Sequence, residues 1–200
     1  MDKSLSKAER TRQFIVEKTA PVFNAKGYAG TSLSDMTEAT GLTKGSIYGN
    51  FSNKDEVALA AFDYNFERVT AYIRERLLRT ENAIERLLVY PQVYRDFLTI
   101  PFLKAGCPIL NTATEADDTH PLLRDRAAKA LDFWRTSVEN QLKRGVARGE
   151  IRSDCDPTEA AVVLTSIIEG AIMQAKTTGR PTELWIAMKF LTRYIEGLRA

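Results

Sequence analysis

Apolar residues recur along almost the whole chain at the three- and four-residue spacing of an amphipathic helix. Glycine, proline and short polar residues interrupt this pattern at intervals, and no stretch alternates as a strand does. The pattern predicts an all-α fold of about nine helices, within residues 6–26, 34–41, 43–51, 54–79, 82–98, 109–117, 121–149, 157–178 and 182–198.

Capping residues predict where the short helices begin and end. Gly41 is expected to end one of them in the left-handed conformation that glycine adopts freely, and Thr43 is expected to cap the next. Two helices joined by so short a glycine turn form a helix-turn-helix unit. The other predicted N-terminal signals are Ser34, the shortened capping box of Ser52 with Asp55, and either Asp118 or Thr119.

The second helix of this pair has two contrasting faces. Ile47 and Phe51 lie four residues apart, with Tyr48 beside them, and form an apolar stripe. Two glycines in so short a helix cost about 1 kcal/mol each relative to alanine, and an ordinary surface helix gains nothing from them. A helix that enters the DNA major groove does need short side chains, and Lys44 at its start suits a phosphate contact. The opposite face carries only small or polar residues: Gly45, Ser46, Gly49 and Asn50.

The sequence Thr43-Lys44-Gly45-Ser46-Ile47-Tyr48-x-x-Phe51-x-x-Lys54-Asp55 resembles the recognition region of the TetR/AcrR family of bacterial transcription regulators. The chain departs from the family pattern at Thr37, where alanine is usual, and at Gly49-Asn50, where many members carry a larger pair. The resemblance implies a three-helix DNA-binding domain over residues 1–53 and a helical ligand-binding and dimerisation domain over residues 54–200. The implied DNA-contacting residues are Thr31, Ser32, Thr43, Lys44, Gly45, Ser46, Tyr48, Gly49, Asn50 and Lys54.

The function that the resemblance implies is a homodimeric repressor that a small-molecule inducer releases from a double-stranded DNA operator. Residues 157–178 and 182–198 are apolar on more than one face and would leave a large exposed patch in a monomer. The resemblance pairs these two helices with their copies in a second subunit. The predicted interface residues are Leu164, Ile168, Ile172, Trp185 and Met188.

The resemblance also places a small-molecule pocket among the middle helices. Core packing is the alternative role for each aromatic or methionine candidate, whereas a polar group on a buried face needs a partner. An apolar or aromatic inducer is expected from this lining. The candidate residues are Phe97, Phe102, Cys107, Asn111, Trp134, Glu169 and Met173.

Cys107 lies in the spacing Gly106-Cys107-x-x-x-Asn111, which resembles a TetR subgroup whose cysteine senses electrophiles or oxidants. Lys104 nearby is expected to lower the pKa of this thiol, which makes a thiol-based sensor the alternative function. The other possibility is a small buried hydrophobe. Cys155 lies between two aspartates, which are expected to raise the pKa of its thiol.

The chain has 200 residues, 44% of them hydrophobic, and a formal net charge of +2. These values suit one large or two small domains and give no polybasic signal. Basic residues nevertheless lie near the start, at Lys3, Lys7, Arg10 and Arg12. An N-terminal arm of this kind can meet the DNA backbone or minor groove, although a solvated tail is the alternative for each residue.

Other functional classes are disfavoured. Two distant cysteines and a single histidine give no metal site, so neither a metal nor a cofactor is expected. No catalytic residues are expected, because His120 has no visible nucleophilic partner and Asp117-Asp118 lies at a helix boundary. No apolar run approaches the roughly 18 residues of a membrane helix, and no signal peptide is visible, which predicts a cytoplasmic protein without a membrane partner. A helical protein-interaction module without DNA binding remains as an alternative, against which the small-residue helix face argues.

Overall fold

A computed structural model describes residues 6–200, and this part of the chain is almost entirely helical. Its helices are α1 (Lys7–Gly30), α2 (Leu33–Thr40), α3 (Lys44–Tyr48), α4 (Lys54–Leu77), α5 (Ala83–Arg95), α6 (Pro108–Ala116), α7 (Pro121–Ala147), α8 (Pro157–Thr178) and α9 (Thr182–Glu196). Two short 3-10 turns lie between α5 and α6. The described residues contain no strand, only an isolated bridge between Ile151 and Arg199. The predicted all-α class with about nine helices is confirmed.

The glycine turn between α2 and α3 forms as the sequence predicts. Gly41 ends α2 with a φ of 69°, in the left-handed region, and its N–H bonds the Thr37 carbonyl. The Thr43 hydroxyl caps α3 by accepting the N–H of Ser46 at 3.2 Å. The turn therefore holds the two helices in the helix-turn-helix arrangement.

Three predicted N-caps were wrong. Ser32, and not Ser34, opens α2 in a capping box with Asp35. At α4 the cap is Asn53, which accepts the N–H of Glu56 at 2.9 Å. The capping box predicted with Ser52 does not form because the Asp55 carboxylate instead accepts the hydroxyl of Tyr28. At α7 the cap is His120, one residue beyond the predicted pair, and its ring accepts the N–H of Leu123 at 3.3 Å.

Two clusters of buried side chains divide the molecule, and α4 contributes to both. The N-terminal cluster packs α1, α2 and α3 around Ile15, Met36 and Ile47, and continues into the first turns of α4 at Val57. It also receives Leu123 from α7. The larger cluster joins the rest of α4 to α5, α7, α8 and α9. Because α4 belongs to both clusters, a shift of this helix changes the packing of both.

One helix in the described part of the chain, Pro157–Thr178, is long and apolar enough to cross a membrane by length and composition alone. The expectation that no apolar run approaches this length was therefore wrong. In the structure this helix packs along α7 and α9, and its buried residues include Leu164, Ile168 and Ile172. Its apolarity accordingly reflects its position in the core of the bundle.

Candidate functional site

The exposed side of α3 is a candidate DNA-binding surface. Ile47 and Phe51 are 0% and 2% exposed, so the apolar stripe fastens the helix to the N-terminal core as predicted. Lys44, Gly45 and Gly49 are exposed on the other side. A Cβ added at Gly45 would meet only the Thr43 hydroxyl, at 4.0 Å, so the backbone here is open to a close approach. We call the exposed residues Thr43, Lys44, Gly45 and Gly49, with Ser46, the recognition surface.

Arg12 of α1 anchors the end of α3. Its guanidinium donates to the carbonyl of Asn50 at 2.6 Å, pairs with the Glu56 carboxylate at 2.7 Å, and lies 3.9 Å from the ring centre of Phe51. The Asn50 side chain is itself engaged, because its amide donates to the Ser46 carbonyl at 2.9 Å. Arg12 therefore positions the recognition surface. The sequence instead predicted that Arg12 belongs to an N-terminal arm that contacts DNA. Lys3 of that arm lies outside the described residues.

Thr31 was predicted to contact DNA, and the structure contradicts this. Its side chain is fully buried, and its hydroxyl donates to the Gly27 carbonyl at 2.6 Å. Ser32 is exposed and caps α2. Lys54 holds its ammonium 4.4 Å from the ring centre of Tyr28, at the start of α4.

A set of polar contacts ties α6 to α1, and we call it the α1–α6 clamp: Asn24, Gly27, Asn111 and Glu115. The Asn111 amide donates to the carbonyl and side-chain oxygens of Asn24, both at 3.0 Å. The Asn24 amide in turn donates to the Gly106 carbonyl at 3.0 Å. The Glu115 carboxylate accepts the backbone N–H groups of the two residues after Gly27, at 2.7 and 2.8 Å.

Gly27 allows the two backbone N–H groups that follow it to bind the Glu115 carboxylate. Its φ of 72° lies in the left-handed region and breaks the helical path of α1, which turns the next two N–H groups toward α6. A Cβ at this position would overlap the Glu115 carboxylate. The clamp therefore requires a glycine on α1 opposite a carboxylate on α6.

A cavity of about 290 Å³ lies between α4, α5, α6 and α7. Its wall on α7 comes from one helix face, at Trp134, Ser137, Gln141 and Arg144. At α6 the wall is formed by Cys107, Pro108 and Ile109, which are next to the clamp. The remaining lining is mainly aromatic or aliphatic, from Phe66, Val69, Ile73, Leu77, Tyr90, Tyr94 and Phe133.

Residues 15–61 match the family model described as bacterial regulatory proteins, tetR family. Residues 83–191 match the model described as tetracyclin repressor-like, C-terminal domain. The chain belongs to the TetR family of bacterial transcriptional regulators. As a TetR-family protein it is a DNA-binding transcriptional regulator, and the resemblance noted in its recognition region is confirmed.

Solved and curated relatives agree with this family. The crystal structure of a TetR-family regulator from Cytophaga hutchinsonii matches with a TM-score of 0.91 and 44% identity, over 99% of each chain. A TetR regulator from Chloroflexus aurantiacus matches with a TM-score of 0.90 and 40% identity, over 96% of this chain and 97% of its own. The HTH-type transcriptional repressor ComR of Escherichia coli (strain K12) is 30% identical over 82% of this chain and 79% of its own length.

The cavity of this TetR-family protein includes only two of the seven predicted pocket residues, Cys107 and Trp134. Phe97 is fully buried in the core and stacks on Tyr94 at 5.1 Å. Phe102 packs edge-on against Tyr72 at 5.7 Å. Neither lines the cavity, because the 3-10 turns direct both rings elsewhere.

The three other pocket candidates also lie outside the cavity wall. Asn111 belongs to the clamp, and its side-chain oxygen accepts the ammonium of Lys176 at 3.1 Å. Met173 is 50% exposed on the outer face of α8. Glu169 lies behind Cys107 and not on the cavity surface. The sequence pattern did not identify the α4 face or the arginines of the cavity lining. An apolar helix face is equally typical of core packing, and arginines are equally typical of a solvated helix surface.

Cys107 and Glu169 form a buried hydrogen-bonded pair. The thiol donates to the Glu169 carboxylate at 3.0 Å, and the other carboxylate oxygen has no partner among the described residues. Burial, reinforced by the nearby Glu169 charge, raises the pKa of Cys107 well above its ordinary value. The expected lowering of this pKa by Lys104 was therefore wrong. Burial is also the main cause that raises the pKa of Cys155, ahead of its two flanking aspartates.

Glu169 predicts a pH-dependent stability. Burial raises its folded-state pKa to about 7 from an ordinary value of 4.5. Between these values the folded protein keeps a proton that the unfolded chain releases, so stability falls as pH rises through this window. Relative to Glu169→Gln, the wild type should lose about 2 to 3 kcal/mol between about pH 5 and pH 8 in urea denaturation. The exposed Glu159→Gln on the same helix is the control, and parallel curves for all three proteins would contradict the prediction.

The outer face of α8 and α9 is apolar, but it differs from the predicted interface. Leu164, Ile168, Ile172 and Met188 are at most 2% exposed, so they pack the protomer core and cannot serve as interface contacts. Trp185 is 51% exposed, as an interface residue would be in a free protomer. We define the α8–α9 apolar surface by its exposed large side chains, which are Val162, Met173, Trp185, Ile186 and Phe190.

Proposed function

We propose that this protein is a homodimeric repressor that leaves its operator when a small molecule occupies the cavity between α4 and α7. The observation that carries the proposal is the physical continuity of the cavity wall with the clamp: Cys107 lines the cavity, and Gly106 next to it accepts a hydrogen bond from Asn24 of α1. A ligand that displaces the start of α6 must therefore strain a bond to the DNA-binding helices. We infer a non-catalytic, cytoplasmic role without a cofactor.

The dimer supplies the symmetry that operator recognition needs. One α3 offers a short recognition surface, and two copies related by a twofold axis read two half-sites one helical turn apart. The α8–α9 apolar surface is suited to form this dimer, because its large apolar side chains are exposed in the protomer. An exposed apolar patch of this kind marks an interaction surface. ComR, named a transcriptional repressor, supports repression as the mode of regulation.

Linkage sets the condition for induction. A ligand shifts the equilibrium only if it binds the DNA-incompetent arrangement more tightly, and operator DNA must then weaken ligand binding by the same factor. To test this, we would select operator sequences from a random DNA pool and measure their release by a panel of metabolites. The proposal is rejected if no DNA sequence is enriched, or if a bound metabolite has equal affinity with and without operator.

The clamp gives a specific prediction for this coupling. Glu115→Gln removes the charge that holds the two N–H groups after Gly27, and charge-assisted bonds of this kind are about twice as strong as neutral ones. Inducer binding should persist. The factor by which operator DNA weakens inducer binding, typically about 5- to 150-fold, should fall to about threefold or less. Titration of inducer with and without operator measures it.

Asp117→Asn is the matched control for this substitution. It removes a carboxylate from the exposed end of the same helix, where its side chain accepts a single hydrogen bond within residues 6–200, from the N–H of Asp118. If operator changes inducer affinity by the same factor in Glu115→Gln, Asp117→Asn and the wild type, the clamp does not couple the cavity to the DNA-binding helices.

A further inference from the structure

Arginines line one end of the cavity without any compensating carboxylate. Arg74 comes from the last turn of α4, Arg86 from the first turn of α5, and Arg144 from the last turn of α7. No aspartate or glutamate lines the cavity, and none of the three arginines forms an ion pair within residues 6–200. Arg86 donates to the carbonyls of Leu77, at the end of α4, and of Thr80 in the following loop. Arg74 and Arg144, both exposed at this end, are then the lining cations without a partner among the described residues.

The rest of the cavity wall is largely aromatic and contains two unsatisfied polar atoms. The indole N–H of Trp134 and the side-chain oxygen of Gln141 are buried, and neither has a hydrogen-bond partner in the described part of the molecule. Buried polar atoms are nearly always paired in folded proteins, so an unpaired donor and acceptor on one cavity wall indicate a partner from outside the chain. The rings of Tyr94 and Phe66 also line the cavity, and the Tyr94 ring centre lies 5.7 Å from that of Trp134. The aromatic end is therefore at Trp134, whereas Gln141 lies only three residues before Arg144.

The two ends lie at opposite ends of a single helix face. Trp134 and Arg144 are ten residues apart on α7, which corresponds to about 15 Å at 1.5 Å per residue. The arginine side chain can reach part of this distance toward the aromatic end. A ligand that contacts both ends must therefore be elongated, with an anionic group at one end and a polar substituent at the other.

We propose that the cavity binds an elongated aromatic carboxylate. Its carboxylate pairs with Arg74 and Arg144, its rings pack against the aromatic side chains, and a hydroxyl at its far end accepts the indole N–H of Trp134. The proposal rests on the proposed function, in which this cavity is the inducer site, and it adds an anionic group to the apolar or aromatic inducer expected from the sequence. Guanidinium groups bind carboxylates through paired, charge-assisted hydrogen bonds, which a neutral ligand cannot form equally well.

Naphthalene-2-carboxylate and naphthalene-2-carboxamide make a test pair, because they share their shape and differ in charge. Calorimetry on the full-length protein should show the carboxylate binding at least about tenfold more tightly, since hydrogen bonds to charged groups are the stronger ones. In the double variant Arg74→Gln with Arg144→Gln this preference should fall to within about twofold. Arg148→Gln is the control, because Arg148 is exposed just beyond the same helix and does not line the cavity.

The aromatic end has its own probe. 6-Hydroxynaphthalene-2-carboxylate should bind several-fold more tightly than the unsubstituted carboxylate, and Trp134→Phe should remove that gain. An amide that binds as tightly as the carboxylate, a preference that survives the double arginine substitution, or the absence of any probe binding would overturn the inference. Operator shift in the same samples separates the two proposals: operator that stays bound to carboxylate-loaded protein would contradict the inducer role of the cavity while supporting its selectivity for anions.

Discussion

Gly45→Leu is expected to reduce operator affinity at least about 100-fold, toward the level of non-specific DNA binding. The leucine side chain would project from the recognition surface and hold the α3 backbone away from the base edges. The fold should be unaffected, because a Cβ at Gly45 points into open space, and replacing a helical glycine gains up to about 1 kcal/mol in stability. Mobility shift with a selected operator and thermal unfolding measure the two effects.

Gly45→Ala is the matched control, since it makes the same backbone change without the bulk. Gly49 would be a less informative site, because a Cβ there would lie 3.0 Å from the Gly45 carbonyl and would disturb α3 itself. If Gly45→Leu binds the selected operator as tightly as Gly45→Ala does, then this face of α3 does not enter the groove.

The double substitution Ile186→Glu with Phe190→Glu is expected to convert the proposed dimer into a folded monomer. Both side chains are exposed in the protomer, at 65% and 48%, so the charges cost little before association. In the dimer each buried, unpaired carboxylate would cost about 3 to 5 kcal/mol. Sedimentation at micromolar concentration measures the change in mass, and operator affinity should fall with it because only one half-site can then be held.

Ile168→Glu is the comparison that separates core from interface. Ile168 is fully buried in the protomer, so a charge there should unfold the chain and not merely dissociate it. A wild-type protein that sediments as a monomer, or a double variant that remains dimeric, would exclude the α8–α9 apolar surface as the interface.

The elements that the sequence predicted well depend on local chemistry. The left-handed glycine at Gly41, the cap at Thr43 and the two faces of α3 follow from residues within one or two helical turns, and all three form as expected. The predicted helix boundaries are close for the same reason. Local backbone preferences and side-chain periodicity are sufficient to determine such features.

The features that the sequence did not predict depend on contacts between distant residues. The pattern Ser-x-x-Asp occurs at both Ser32 and Ser52, yet only the first forms a capping box, because Asp55 is bound by Tyr28 of another helix. On α8 the apolar residues surround the helix, so periodicity cannot show which of them face the core. Leu164 and Ile168 were therefore assigned to the wrong face.

The pairing of Gly27 with Glu115 has a consequence for the construction of hybrid regulators. A chimera that grafts the DNA-reading helices of one family member onto the effector region of another would bring together a position 27 and a position 115 from different parents. A side chain at position 27 would meet the Glu115 carboxylate, and a glycine there opposite an apolar residue would leave two N–H groups without their acceptor. Functional grafts onto this chain should therefore transfer both residues together, even though they are far apart in sequence and neither belongs to the recognition surface or to the cavity wall.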